Sequence, residues 1–149
     1  MDTENLLRLL KENAVEFVII GASAFPVHGY SRATLDIDLF IRPDRDNAQR
    51  TLRALKQFGY DVSEISVDDL LTKKLLIRQY LVETDIHPFV AGTTFEKVWM
   101  NKVQDFYGDT PVFFANLDDL IEMKEAAKRP RDLDDLQYLR ELKKRRSVI

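Results

Sequence analysis

Residues 34–41 (TLDIDLFI) constrain this chain more than any other segment. Successive side chains on a strand point to opposite faces, so Thr34, Asp36 and Asp38 share one face while Leu35, Ile37 and Leu39 share the other. The two carboxylates then stand about 7 Å apart at their Cα atoms. That spacing lets both reach one hard cation, or bracket two cations about 3.5–4 Å apart. Asp is depleted in strands and like charges on one face repel, so a compensating partner is expected here. An edge strand that uses charge against aggregation would show the same pair, and the rest of the chain has to decide between the two.

Upstream, residues 15–20 (VEFVII) are short, β-branched and almost wholly apolar, as a strand buried on both faces is. Gly21 ends this run, and a short helix is predicted over 23–29. A strand-to-helix turn at Gly21-Ala22-Ser23 permits close backbone approach and presents amides to an anion, with the Ser23 hydroxyl added. A phosphate held there would lie near Asp36 and Asp38 if the two strands are neighbours. Metal-binding carboxylates opposite an anion-cradling turn are the ingredients of phosphoryl or nucleotidyl transfer.

The remaining pattern predicts helix over 3–13, with Leu6, Leu7 and Leu10 on one face. A second helix opens after Pro43 and Asp44, carries Ala48, Leu52 and Leu55, and closes at Gly59. Residues 67–72 read as a helical turn or a loop and 75–82 as a strand, with Glu83 and Thr84 turning into a further strand at 84–89. A helix over 94–101 and a hairpin around Gly108-Asp109 follow, the second apolar run being Val112, Phe113 and Phe114. Two C-terminal helices end the chain. Asn116 caps the first, with Asp119 at its N3 position, and the second starts near Pro130 and carries Leu133, Leu136, Leu139 and Leu142. Asp132, Asp134 and Asp135 are expected to serve the helix dipole. This order predicts an α/β (α+β) fold, a sheet flanked by helices, in one domain over 1–149.

Composition removes several classes. The chain has 149 residues, enough to bury roughly 70% of its unfolded surface. It is 45% hydrophobic and 32% charged, ordinary for a globular protein and wrong for a disordered one. With no cysteine there is neither a disulfide framework nor a thiolate zinc site. The N-terminus lacks the pattern of a signal peptide and no apolar run spans a bilayer, so a cytoplasmic location is expected. A net charge of −3 argues against general nucleic-acid binding. Basic residues do collect at Lys128, Arg129 and Arg131 and again at 143–146, the latter read as a solvated helix end.

The order strand, Gly21-Ala22, helix, strand, Asp36-Ile37-Asp38 resembles the nucleotidyltransferase superfamily that includes DNA polymerase β. Residues 28–38 (HGYSRATLDID) are similar to the His-Gly-x-x-Arg-x-Thr-x-Asp-x-Asp stretch of small bacterial nucleotidyltransferases related to those of toxin–antitoxin systems. Residues 85–99 (DIHPFVAGTTFEKVW) and 117–139 (LDDLIEMKEAAKRPRDLDDLQYL) extend the likeness over most of the chain. The sequence departs from that pattern at Ala22, where a second Gly or Ser is usual, and at Lys128, where Gly is expected.

The resemblance implies a mixed sheet, a third carboxylate at Asp85, and Mg²⁺ or Mn²⁺ bound by Asp36, Asp38 and Asp85. It implies a nucleoside triphosphate as substrate, and Asp85 as general base for a hydroxyl acceptor on a protein, an RNA or a small molecule. The triphosphate would meet Gly21, Ala22, Ser23, Arg32, Thr34 and Lys124. Lys124 shares the apolar face of its helix with Leu117, Leu120 and Ile121, which a snorkelling lysine would also explain. Arg32 would equally pair with an acid, and Thr34 with a cross-strand neighbour. His28 and His87 read as structural, hard oxygen ligands being better suited to Mg²⁺. The rival reading is a non-catalytic, antitoxin-like or nucleotide-sensing protein that keeps the fold and works with a toxin-like partner or a second copy of itself.

Overall fold

The computed structural model describes residues 2–80 and 82–147. The first five α-helices begin where capping side chains satisfy the first free amides. Asp2 accepts from the Asn5 amide at 2.9 Å and opens α1 (Thr3–Glu12), which buries Leu6, Leu7 and Leu10. Asp44 does the same for α2 (Arg45–Phe58), which Gly59 closes in the left-handed conformation. Ser66 and Asp69 form a reciprocal capping box on α3 (Val67–Thr72), settling this segment as helix. Thr94 caps α4 (Phe95–Met100), and Asn116 caps α5 (Leu117–Ala127) through the Asp119 amide. The last helix, α6, spans Asp132–Ser147. Lys128 ends α5 at φ +54°, the left-handed position that glycine fills at least cost.

Six strands form one sheet: β1 (Phe17–Ile20), β2 (Asp36–Ile41), β3 (Leu75–Ile77), β4 (Glu83–His87), β5 (Val103–Tyr107) and β6 (Thr110–Phe114), in the order β3-β4-β2-β1-β6-β5. The sheet is mixed. β1 runs antiparallel to β2, with Ile20 opposite Asp38, and parallel to β6, while β2 runs parallel to β4. The hairpin β5–β6 turns at Gly108-Asp109 as expected. All of β1 is buried, and on β2 Ile37, Leu39 and Ile41 are buried in alternation with the two aspartates. Helices α1 and α2 pack together, and so do α5 and α6.

Several boundaries differ from the expected ones, for reasons visible in the ladder. β2 starts at Asp36, because its partner β4 starts at Glu83, so Thr34 and Leu35 lie outside it and Leu35 is 89% exposed. The strand expected over 75–82 stops at Ile77, since Tyr80 adopts φ +62° and breaks the extended chain; Leu81 lies outside the described residues. Glu83 and Thr84 are the first residues of β4 and not a turn. The helix expected over 23–29 is a pair of 3₁₀ turns, Gly21–Ala24 and Pro26–His28. On α6, Leu136 and Leu139 are buried but Leu133 is exposed.

Candidate active site

The acidic face is built by two neighbouring strands. β2 carries Asp36 and Asp38, and β4 runs beside it with Asp85 level with Asp38 and Glu83 level with Asp36. All three aspartates expected from the sequence thus stand together on one face of the sheet, with Glu83 and His87 alongside. Asp85 is the most enclosed, at 4% exposure. Burial raises its carboxyl above the ordinary value; the Arg78 guanidinium pulls it back, and the negative charges of Asp38 and Asp36 push it up. His87 Nε2 donates to Asp38 Oδ1 at 2.9 Å, and the Thr34 hydroxyl donates to Asp36 Oδ1 at 3.1 Å.

Gly21 closes one side of this face. It sits at φ +67°, where a side chain is strained, and a Cβ there would fall 2.6 Å from Asp38 Oδ2 and displace that carboxylate. Gly21 and Ala22 line the cleft described below. Ser23 is not part of that lining: its hydroxyl donates to the Asp36 carbonyl at 3.4 Å and ties the turn to β2. The chain winds into a 3₁₀ turn from Gly21 onward, so Ser23 points at the strand and not at a ligand.

A cleft of about 1160 Å³ opens on the acidic face, and α5, α6 and the loop joining them supply cations to its lining, Lys124, Arg145 and Arg129 among them. Beneath it lies a charge network that the helix-dipole reading of the sequence missed. Asp132 and Asp135 are 1% and 3% exposed. Lys124 Nζ contacts Asp132 at 2.9 Å and Asp135 at 3.3 Å, and Arg32 grips Asp135 with Nε and Nη2 at 2.9 and 3.0 Å. Tyr30 donates its hydroxyl to the same carboxylate. Burial pushes the Asp132 carboxyl up, but Arg129 and Lys124 beside it outweigh that and bring it down to about 2. Lys124 and Arg32 therefore both reach the cleft, each already paired with a buried acid. An ammonium has three donors, and Lys124 meets two carboxylates, while Arg32 Nη1 makes a long 3.4 Å approach to the Ala33 carbonyl. Sequence did hold a signal for the network: Asp132 and Asp135 stand at i, i+3 in phase with Leu136 and Leu139, on the buried stripe of α6.

His28 is structural, as expected. Its Nε2–H donates to the Ala115 carbonyl at 2.8 Å and its Nδ1 accepts from Arg146 at 3.1 Å. Burial lowers its pKa from the usual histidine value, the Ala115 bond opposes that and Arg146 adds to it. The basic run at 143–146 is thus more than a solvated helix end, since Arg146 packs on His28 and Arg145 lines the cleft. His87, expected to be structural, stands on the acidic face. Arg78 is another member of that face that sequence reading did not single out.

Asp36, Asp38 and Asp85 offer hard carboxylate oxygens, a donor set that fits Mg²⁺ or Mn²⁺. Their oxygens are turned toward Arg78, His87 and Thr34, and among the described residues no three acidic or histidine side chains converge on one point.

A mixed sheet with level aspartates on adjacent parallel strands, beside a glycine turn, is the frame of a nucleotidyltransferase-like protein. The family model described as "Nucleotidyltransferase of unknown function (DUF6036)" matches residues 2–144, and the chain belongs to that family. Among solved structures, the chain is similar to the lincomycin-bound lincosamide antibiotic adenylyltransferase LnuA. The two share 16% sequence identity at a TM-score of 0.62, over 95% of this chain and 98% of that one. The likeness is one of fold. A search of curated proteins finds no match to the chain.

Proposed function

We propose that this chain is a divalent-metal-dependent nucleotidyltransferase that moves a nucleoside monophosphate from a nucleoside triphosphate to a hydroxyl acceptor. The observation that carries this is Asp85 level with Asp38 on the strand beside Asp36, on a cleft that Lys124 and Arg32 also line. A cation bound by Asp36, Asp38 and Asp85 would neutralise triphosphate charge and polarise the α-phosphoryl group. Lys124 and Arg32 offer their remaining donors to phosphate oxygens, and the bare backbone at Gly21 allows close approach. Asp85 orients the acceptor hydroxyl and takes its proton. The acceptor oxygen bonds to the α-phosphorus, the bond from phosphorus to the bridging oxygen breaks, and pyrophosphate leaves.

A cleft of about 1160 Å³ is larger than one drug-sized ligand usually needs, which supports a triphosphate with a small hydroxylated acceptor beside it. The likeness to an antibiotic adenylyltransferase agrees with that class of acceptor, ahead of a protein or an RNA. Calorimetric titration of each nucleoside triphosphate with Mg²⁺, on wild type and on Asp36→Ala/Asp38→Ala, tests the reading. Binding that needs both the cation and the aspartates is expected; no binding to folded wild type would overturn it. One observation favours the non-catalytic alternative, the engagement of all three aspartates with protein donors. Tight nucleotide binding with no transfer to any hydroxyl class would decide for that alternative.

A further inference from the structure

Arg78 stands at the centre of the acidic face. Its Nη1 donates to Asp85 Oδ1 at 2.6 Å, while Nη2 and Nε lie 3.6 Å from carboxylate oxygens of Asp36 and Glu83. One guanidinium thus meets three carboxylates carried by two strands. Asp85 is nearly inaccessible and stands beside Asp38 and Asp36, so its ionised form needs a counter-charge. Among the described residues Arg78 is the cation that touches Asp85.

The surroundings leave the guanidinium free to depart without moving the backbone. Gln79 is pinned to Asp61 by two hydrogen bonds, at 2.7 and 3.0 Å, so the chain next to Arg78 is held. The Arg78 side chain is 40% exposed, and among the described residues its further polar contact is a 3.4 Å approach to its neighbour's carbonyl, that of Ile77. A change of rotamer would release Asp36, Glu83 and Asp85 together.

We infer that Arg78 is the resident counter-ion of the metal site, competing with a divalent cation for Asp36 and Asp85. The inference rests on the metal-site reading above and adds to it that cation entry displaces an arginine of the chain itself. Displacement exchanges a delocalised single positive charge for a compact double one. Metal affinity in the wild type is therefore weaker than the three carboxylates alone would give.

Mn²⁺ binding by calorimetry tests this on the wild type, Arg78→Gln, Arg78→Lys and Asp36→Asn/Asp38→Asn, with thermal unfolding recorded at each Mn²⁺ concentration. Competition makes Arg78→Gln bind Mn²⁺ on the order of tenfold more tightly, as removal of one charge a few ångströms from the carboxylates requires. The same variant unfolds at a lower temperature without cation and recovers more than the wild type when Mn²⁺ is added, a rescue that a merely structural arginine would not produce. Arg78→Lys keeps the charge, loses the planar fork and falls between the two; it carries the test if the glutamine variant does not fold. Equal or weaker Mn²⁺ binding by folded Arg78→Gln, with wild-type binding still dependent on Asp36 and Asp38, overturns the competition and leaves the metal site standing. Absence of Mn²⁺ binding by wild type and Arg78→Gln alike overturns the metal site, and the competition with it.

Discussion

Gly21 shows how much one residue can carry. Its left-handed backbone and its closeness to the Asp38 carboxylate both penalise a side chain there. Gly21→Ala is expected to cost about 1–2 kcal/mol of stability from the backbone alone. The methyl group must also push Asp38 from its place, so cation and nucleotide binding should be lost by more than the stability loss would account for. Urea unfolding and calorimetry on the same preparation check both halves. Asp36 and Asp38 were legible in the sequence because alternation along a strand fixes the face of each side chain. Asp132 and Asp135 were not read as buried. Helix-start acids commonly serve the dipole, and only the arrival of Lys124, Arg129 and Arg32 makes burying them tolerable.

At the scale of elements, the helices followed their caps and the strands followed their partners. The caps at Asp44 and Asn116 are local hydrogen bonds, and the helices they open lie close to where the sequence predicts them, while the Ser66 cap makes a helix of a segment that the sequence left between helical turn and loop. Strand ends depend on the neighbour: β2 loses Thr34 and Leu35 because β4 offers nothing to pair with them. On α6, leucines every third residue drift about 60° around the helix at each step, so Leu133, Leu136, Leu139 and Leu142 cannot all share one face. The buried stripe is Asp132, Asp135, Leu136 and Leu139, and Leu133 is left in solvent. Leu139→Ala should therefore cost about 2–5 kcal/mol, whereas Leu133→Ala should stay within about 0.5 kcal/mol. Denaturant midpoints of the two variants measure the difference directly, and equal losses would contradict this register.

For the whole molecule, the network joining α5, α6 and the segment before β2 is expected to shape acid stability. Folded Asp132 titrates at about 2, against an ordinary value of 3.8. A carboxyl depressed by folding contributes stability that is fully present above pH 4 and is lost as the pH falls toward 2. The depression is worth about 2 kcal/mol. Asp132→Asn should lose about that much at pH 7 and flatten the decline between pH 4 and 2, which chemical denaturation across a pH series would show. The sequence by itself determined most of the elements, the caps at Asp44 and Asn116, the glycine turn and the two carboxylates on one face of β2. Those rest on periodicity and on hydrogen bonds between near neighbours, which act over a turn or a strand. The tertiary structure alone decided that Asp85 stands level with Asp38, that Arg78 fills the space among the acids, and that Lys124 and Arg32 meet buried aspartates of α6. Each of these joins distant segments, and which surfaces meet is settled by packing and by the need of every buried charge for a partner.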